Sequence, residues 1–207
     1  MTIDGLPANL LVKGRRVVVV GAGRIAARKI ESLLDLGADV VVIAPEIGEE
    51  VTGWADQGRL AVIRRAFEPS DLDGAWLAVT ATDVAEVNVE VKRAGDERRL
   101  FVNSADDPIN CSFTLMSVFR RADLVVAIGT GGRSPALAKW LRRRMTEEFG
   151  PEYETLIDLL AKARSDLQST GRSTEDADWQ RALDTGMLDL IREGKVDEAR
   201  ELLRSCL

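Results

Sequence analysis

The chain contains no histidine among its 207 residues, so any proton transfer must use another group. The pair Asp106 and Asp107 ends the run Phe101-Val102-Asn103-Ser104-Ala105-Asp106-Asp107-Pro108 and offers a carboxylate base directly after an apolar stretch. Asp and Pro also favour turns, and by residue type alone a plain turn is the favoured reading. Near the start, Gly21-Ala22-Gly23-Arg24-Ile25-Ala26 follows a run of valines and opens a helical pattern. G-x-G-x-x-A in that setting suits a dinucleotide. Gly21 permits the tight turn, Gly23 lets the backbone approach a pyrophosphate, and Ala26 lets the helix pack close to the sheet. The helix start adds free N–H groups and the positive end of its dipole. The competing reading is a glycine turn that binds nothing.

Two further strand ends belong to the same chemistry. The second apolar run closes at Pro45-Glu46, where an acid can bond a ribose 2′-hydroxyl and would repel a 2′-phosphate, so NAD is expected over NADP. Thr80, Ala81 and Thr82 end the fourth run and are expected on the nicotinamide side, because ligands sit at the carboxyl ends of such strands. Later, Gly129-Thr130-Gly131-Gly132-Arg133-Ser134-Pro135 joins a strand-like run to a helix. It reads equally as a carboxylate pocket and as a tight turn.

These residues need a scaffold. "RVVVVG", "DVVVIAP", "LAVI", "WLAVTAT" and "LFVNSA" are short β-branched runs, separated by helical segments at Arg24–Leu36 and Val84–Ala94. Continuous apolar strands alternating with helices predict an α/β fold, a Rossmann-like, doubly wound parallel sheet, over residues 1–112. Residues 113–148 hold two strand runs joined at "RRAD" and a helix capped by Ser134 with Pro135 in its first turn. Residues 149–207 read as all helix, with Tyr153, Leu156, Ile157, Leu160, Ala163 and Leu167 on one face and a further helix starting at Ser173 by an S-x-x-D signal. A net charge of -6 argues against broad nucleic-acid binding. No run approaches the roughly 20 apolar residues of a membrane span. Cys111 and Cys206 form no CxxC, so neither a zinc site nor a disulfide framework is expected and a reducing cytoplasm fits.

The segments "VVVVGAGRIAARKIESLLDLGADVVVIAP", "LAVTATDVAEVN", "FVNSADDP" and "VVAIGTGGRSPALAKWLR" occur in this order and spacing. Together they closely resemble the precorrin-2 dehydrogenase / sirohydrochlorin ferrochelatase family, which also forms the N-terminal module of siroheme synthase. The resemblance covers roughly residues 6–147. It implies NAD-dependent oxidation of precorrin-2 to sirohydrochlorin and, in many members, insertion of ferrous iron. It also implies a homodimer built on a central α+β dimerisation region, with a helical C-terminal domain. The family's catalytic aspartate falls on Asp106, its NAD contacts on Arg24, Ile25, Pro45 and Glu46, and a serine that modulates the chelatase on Thr130. A substrate with eight carboxylates needs local cations, and Arg120, Arg121 and Arg133 are candidates, with Ser134 beside them. Arg142, Arg143 and Arg144 read better as a solvated helix face. The alternative from another class is an NAD-responsive redox sensor without catalysis. Such a sensor needs a transmitting element after residue 100, and no recognition helix stands out there.

Overall fold

The computed structural model describes residues 5–105, 107–175 and 177–207. It divides into two compact units, Gly5–Leu115 and Met116–Leu207. The hairpin and helix of 113–148 and the helices of 149–207, expected as separate regions, share the second unit from Met116 on.

The first unit is built on five parallel strands in the order β3-β2-β1-β4-β5. These are β1 Arg16–Val20, β2 Asp39–Ile43, β3 Ala61–Ile63, β4 Leu77–Thr80 and β5 Phe101–Ser104. Valine dominates the central strands because both faces are covered and a β-branched side chain suits a buried pleat. Val17, Val19, Val40 and Val42 pack under α1 (Arg24–Asp35) and α2 (Glu49–Asp56). Val18, Val20, Val41 and Ile43 face the other way, against Val91 and Ala94 of α3 (Ala85–Glu97). The chain winds outward from β1 to β3, returns, and continues through β4 to β5 on the other side. The reversal falls between β1 and β4, so their carboxyl ends flank the crevice where ligands of such sheets sit. Helix α2 is a single short segment of eight residues with only Val51 fully buried and Trp54 packed beside it, too short for its periodicity to stand out in the sequence. Helix α3 runs past the expected Ala94 because Gly95 lets it lie close to β5; a Cβ there would stand 2.3 Å from Val102 Cγ2.

In the second unit β6 (Ser117–Arg121) and β7 (Leu124–Ile128) form an antiparallel hairpin. Helices α4 (Pro135–Glu148), α5 (Glu152–Ser169), α6 (Trp179–Asp184), α7 (Met187–Arg192) and α8 (Val196–Cys206) follow. Leu156, Leu159, Met187, Ile191, Ala199 and Leu203 make the core of the helical part. The helix expected to begin at Ser173 does not begin there. The Ser173 hydroxyl accepts the Glu175 N–H in a local turn, whereas Asp178 caps α6 by accepting the Arg181 N–H at 3.0 Å. Gly186, at φ +90°, then breaks the expected single helix into α6 and α7. Among the described residues, no helix is long and apolar enough to cross a membrane.

Candidate active site

The loop after β1 is shaped by its neighbours. Gly21 donates its N–H to the Ile43 carbonyl at 2.9 Å and adopts φ +106°. A Cβ at Gly21 would stand 2.4 Å from the Ala81 carbonyl oxygen, so the approach of the β1 and β4 ends itself requires glycine. Ala22 is buried, and its carbonyl accepts the Gly48 N–H at 3.1 Å, which ties the loop after β2 to the loop after β1. Pro45 and Glu46 are exposed on that second loop. Gly23 differs from Gly21: a Cβ there meets no atom of the described residues within 4 Å, so they leave the space in front of it open.

Gly23 is also the N-cap residue of α1. No side chain caps the helix, and no acid lies in its first turn. The first N–H groups of α1 therefore keep their bonding capacity, and Arg24 and Ile25 are exposed beside them. Open space, free N–H donors and a positive dipole end fit the pyrophosphate of a dinucleotide. The geometry needs no strain at Gly23 to present them.

At the end of β4 the buried Thr80 hydroxyl bonds Asn88 Oδ1. The Thr82 hydroxyl lies 3.2 Å from the same oxygen, and Asn88 Nδ2 donates to the Thr82 carbonyl at 3.1 Å. Asn88, on the first turns of α3, thus fixes the three-residue strand end Thr80-Ala81-Thr82. Residue typing overlooks Asn88, because an asparagine within a helical stretch gives no periodic signal; the clue is the buried hydroxyls it serves. Next to Thr80 in register lies Ser104, whose buried hydroxyl has no hydrogen-bond partner among the described residues.

Asp106 lies outside the described residues. Its neighbours are placed. Ala105 donates its N–H to the Thr80 carbonyl at 2.8 Å, which sets the turn against the end of β4. Asp107 is half-buried and accepts from Asn110 Nδ2 at 2.6 Å. Buried Asn103 accepts from Lys29 Nζ at 2.9 Å.

Residues 8–117 match a family model described as "Putative NAD(P)-binding". The chain belongs to this NAD(P)-binding family. Over 204 residues, 98% of the chain, it is 33% identical to the siroheme synthase of Nitrosococcus oceani, of which it covers 44%. Over 151 residues, 73% of the chain, it is 41% identical to the siroheme synthase of Citrobacter koseri, of which it covers 33%. The chain thus spans less than half the length of these relatives. Among solved structures, SirC, a precorrin-2 dehydrogenase, is similar with a TM-score of 0.76 and 28% identity, covering 97% of this chain and 100% of that one.

The residues Gly21–Ile25 lie within the matched range, and the candidates Arg120, Thr130, Arg133 and Ser134 belong to the second unit. There Thr130 and Ser134 serve a turn: the Thr130 hydroxyl accepts the Ser134 N–H at 3.1 Å, and the Ser134 hydroxyl accepts the Leu137 N–H at 3.2 Å and caps α4. Arg120 and Arg133 are exposed. Two open clefts of about 290 and 520 Å³ lie along α5 and α8, lined in part by Lys162, Arg200 and Arg204, and contain none of the candidate residues. Ionisable groups with displaced pKa values, such as Asp71 and Glu152, sit in ion pairs with Arg65 and Arg192. Among the described residues no group of three or more His, Cys, Asp or Glu could hold a metal ion.

Proposed function

We propose that the protein oxidises precorrin-2 to sirohydrochlorin, with NAD bound at the Gly21–Ile25 loop. The observation that carries this reading is the likeness to SirC over nearly the whole of both chains, joined to an uncapped, open helix start behind β1. NAD, when bound, supplies the hydride acceptor. The α1 N–H groups beside Gly23, Arg24 and Ile25 hold its pyrophosphate, and the exposed Glu46 takes the ribose hydroxyls and disfavours a 2′-phosphate. Thr80, Ala81 and Thr82, held by Asn88, line the nicotinamide end.

The oxidation removes one hydride and one proton, so precorrin-2 and NAD⁺ give sirohydrochlorin, NADH and H⁺. Loss of hydride from a saturated ring carbon leaves a cation, and Asp106 stabilises that charge and then accepts the proton. With no histidine in the chain, a carboxylate is the natural group for this step. Arg120 and Arg133 pair with substrate carboxylates, with Thr130 and Ser134 shaping the turn between them. Ferrous iron is a second substrate: its insertion expels pyrrole protons, and the same carboxylate serves again. The protein works as a homodimer through the 113–148 region, with 1–112 as the cofactor domain and 149–207 as a helical domain, in the cytoplasm.

One experiment tests the reading. NADH formation from precorrin-2 and iron insertion into sirohydrochlorin are measured on the same preparation of the wild type and of Asp106→Asn. We expect the variant to lose at least a hundredfold in NADH formation while its NAD affinity stays within twofold, in line with the contribution of a positioned base. Retained turnover removes Asp106 from the reaction. Insertion no faster than the uncatalysed control makes the protein a dehydrogenase alone.

A further inference from the structure

The turn after β5 is held by a relay of polar contacts that begins on α1. Lys29 Nζ donates to Asn103 Oδ1 at 2.9 Å, bridging positions 74 residues apart. Asn103 Nδ2 donates to the Phe113 carbonyl at 3.1 Å and lies 3.6 Å from Cys111 Sγ. The Cys111 thiol accepts the Ser104 N–H at 3.2 Å, and its own proton lies between the carbonyls of Ser104 and Asp107, at 3.3 and 3.4 Å. One sulfur therefore grips the chain on both sides of the 105–106 step. Ser112 fastens the returning segment to β5, with its N–H on the Val102 carbonyl at 2.8 Å and its hydroxyl on the Val102 N–H at 2.7 Å.

A lysine that only covers a helix flank keeps its ammonium in water and its stem free. Lys29 is half-buried, and its ammonium donates to a buried amide. Ordering that side chain costs up to about 2 kcal/mol of rotamer freedom, so the contact must return something. Its removal would leave the Asn103 carbonyl oxygen facing a dry interior, which favours a different amide rotamer and loosens the hold on Phe113 and Cys111. Helix α1 also begins at Gly23, so a single rigid element carries the proposed cofactor loop at its first turn and, through Lys29, reaches Asn103 at the end of β5 one and a half turns later.

We propose that Lys29, acting through Asn103 and the Cys111 thiol, is a positioning residue for the oxidation, fixing Ser104 and Asp107 on either side of the proposed base. This rests on the function proposed above. Lys29 lies one turn beyond Ile25 on α1 and points its ammonium at Asn103, so its loss acts on turnover and leaves dinucleotide binding alone. A displacement of about 1 Å at a reacting group can cost on the order of a hundredfold in rate.

The test uses the full chain and the variants Lys29→Met, Lys29→Arg, Asn103→Ala and the double variant Lys29→Met/Asn103→Ala. For each, kcat and KM for precorrin-2 oxidation, NAD affinity by titration and the thermal midpoint are measured. We expect Lys29→Met to lose about ten- to a hundredfold in kcat with NAD affinity within twofold. Lys29→Arg should recover most of that loss, and Lys29→Met should cost less than threefold more in the Asn103→Ala background. Wild-type kcat in Lys29→Met, an equal loss of NAD affinity, or independent losses that multiply in the double variant would overturn the proposal. Should Lys29→Met not fold, Cys111→Ala breaks the relay from its other end: a kcat loss at unchanged NAD affinity supports it, and full activity overturns it. Asp106→Asn separates the two readings. Turnover retained there sinks the assignment of the base, whereas an inactive Asp106→Asn beside a fully active Lys29→Met sinks only the role of Lys29.

Discussion

Gly21 and Gly23 are two residues apart and identical in type, yet the fold uses them differently. Gly21 holds φ +106° with the Ala81 carbonyl 2.4 Å from where a Cβ would stand. Gly23 has ordinary backbone geometry and open space around it. Gly21→Ala should therefore destabilise the protein by at least about 1–2 kcal/mol, from strain alone before the clash is counted. Gly23→Ala should leave the denaturation midpoint unchanged and weaken NAD. Denaturant titration and NAD titration of both variants check this, and a stable Gly21→Ala would contradict the close approach. Asp71 gives a prediction in pH. Burial pushes its pKa up, but the hydrogen bonds from Arg65 and from the Glu68 amide, with the charges of Arg65 and Arg16, outweigh it and hold the carboxyl below its ordinary value of 3.8. Arg65 meets it twice, at 2.8 and 2.5 Å. Because the folded pKa is the lower one, the stabilisation is complete above about pH 4 and fades as pH falls through the folded value. Asp71→Asn should cost about 1–3 kcal/mol at pH 7, and the gap to wild type should narrow on acidification; an undiminished gap would mean that the charge contributes nothing.

Among the elements, the β6–β7 hairpin turns through Ala122 and Asp123, with Arg121 paired to Leu124. Ala122 sits at φ +45°, a region glycine occupies without penalty. Ala122→Gly should relieve about 1–2 kcal/mol of strain against up to about 1 kcal/mol of added unfolded-state entropy. The expected net is a gain of up to about 1 kcal/mol, read as a higher denaturation midpoint; a lower midpoint would show that the turn is not strained. The hairpin itself was legible as two β-branched runs about "RRAD", whereas its turn geometry was not. Helix α1 was legible from its glycine start, its 3.6-residue stripe and Gly37 at its end, because all three are local. Helix α2 was not, since it buries a single valine. The S-x-x-D signal at Ser173 misled because Asp178 provides a competing cap, and cap choice depends on which helix docks into the core around Met187 and Leu203.

At the scale of the whole molecule, two units carry separate cores, one sandwiching the parallel sheet and one among α5 to α8. The proposed NAD loop lies entirely in Gly5–Leu115. NAD at about 100 times its dissociation constant should add about 2.7 kcal/mol to the stability of the state that binds it. Calorimetry with and without NAD should show a raised unfolding temperature in the wild type and a smaller rise in Gly23→Ala. No shift in the wild type would count against the loop as a dinucleotide site.

The sequence by itself determined the parallel α/β sheet and the glycine loop that opens α1, because strand burial, helix periodicity and turn chemistry are written in neighbouring residues. The tertiary structure alone decided that Gly21 answers to Ala81, that Asn88 serves Thr80, and that Lys29 meets Asn103 across 74 positions. Those partners share no local pattern. They meet because each crossover returns its strand to the sheet beside an earlier one, and only that closure chooses which polar groups must satisfy one another out of reach of water.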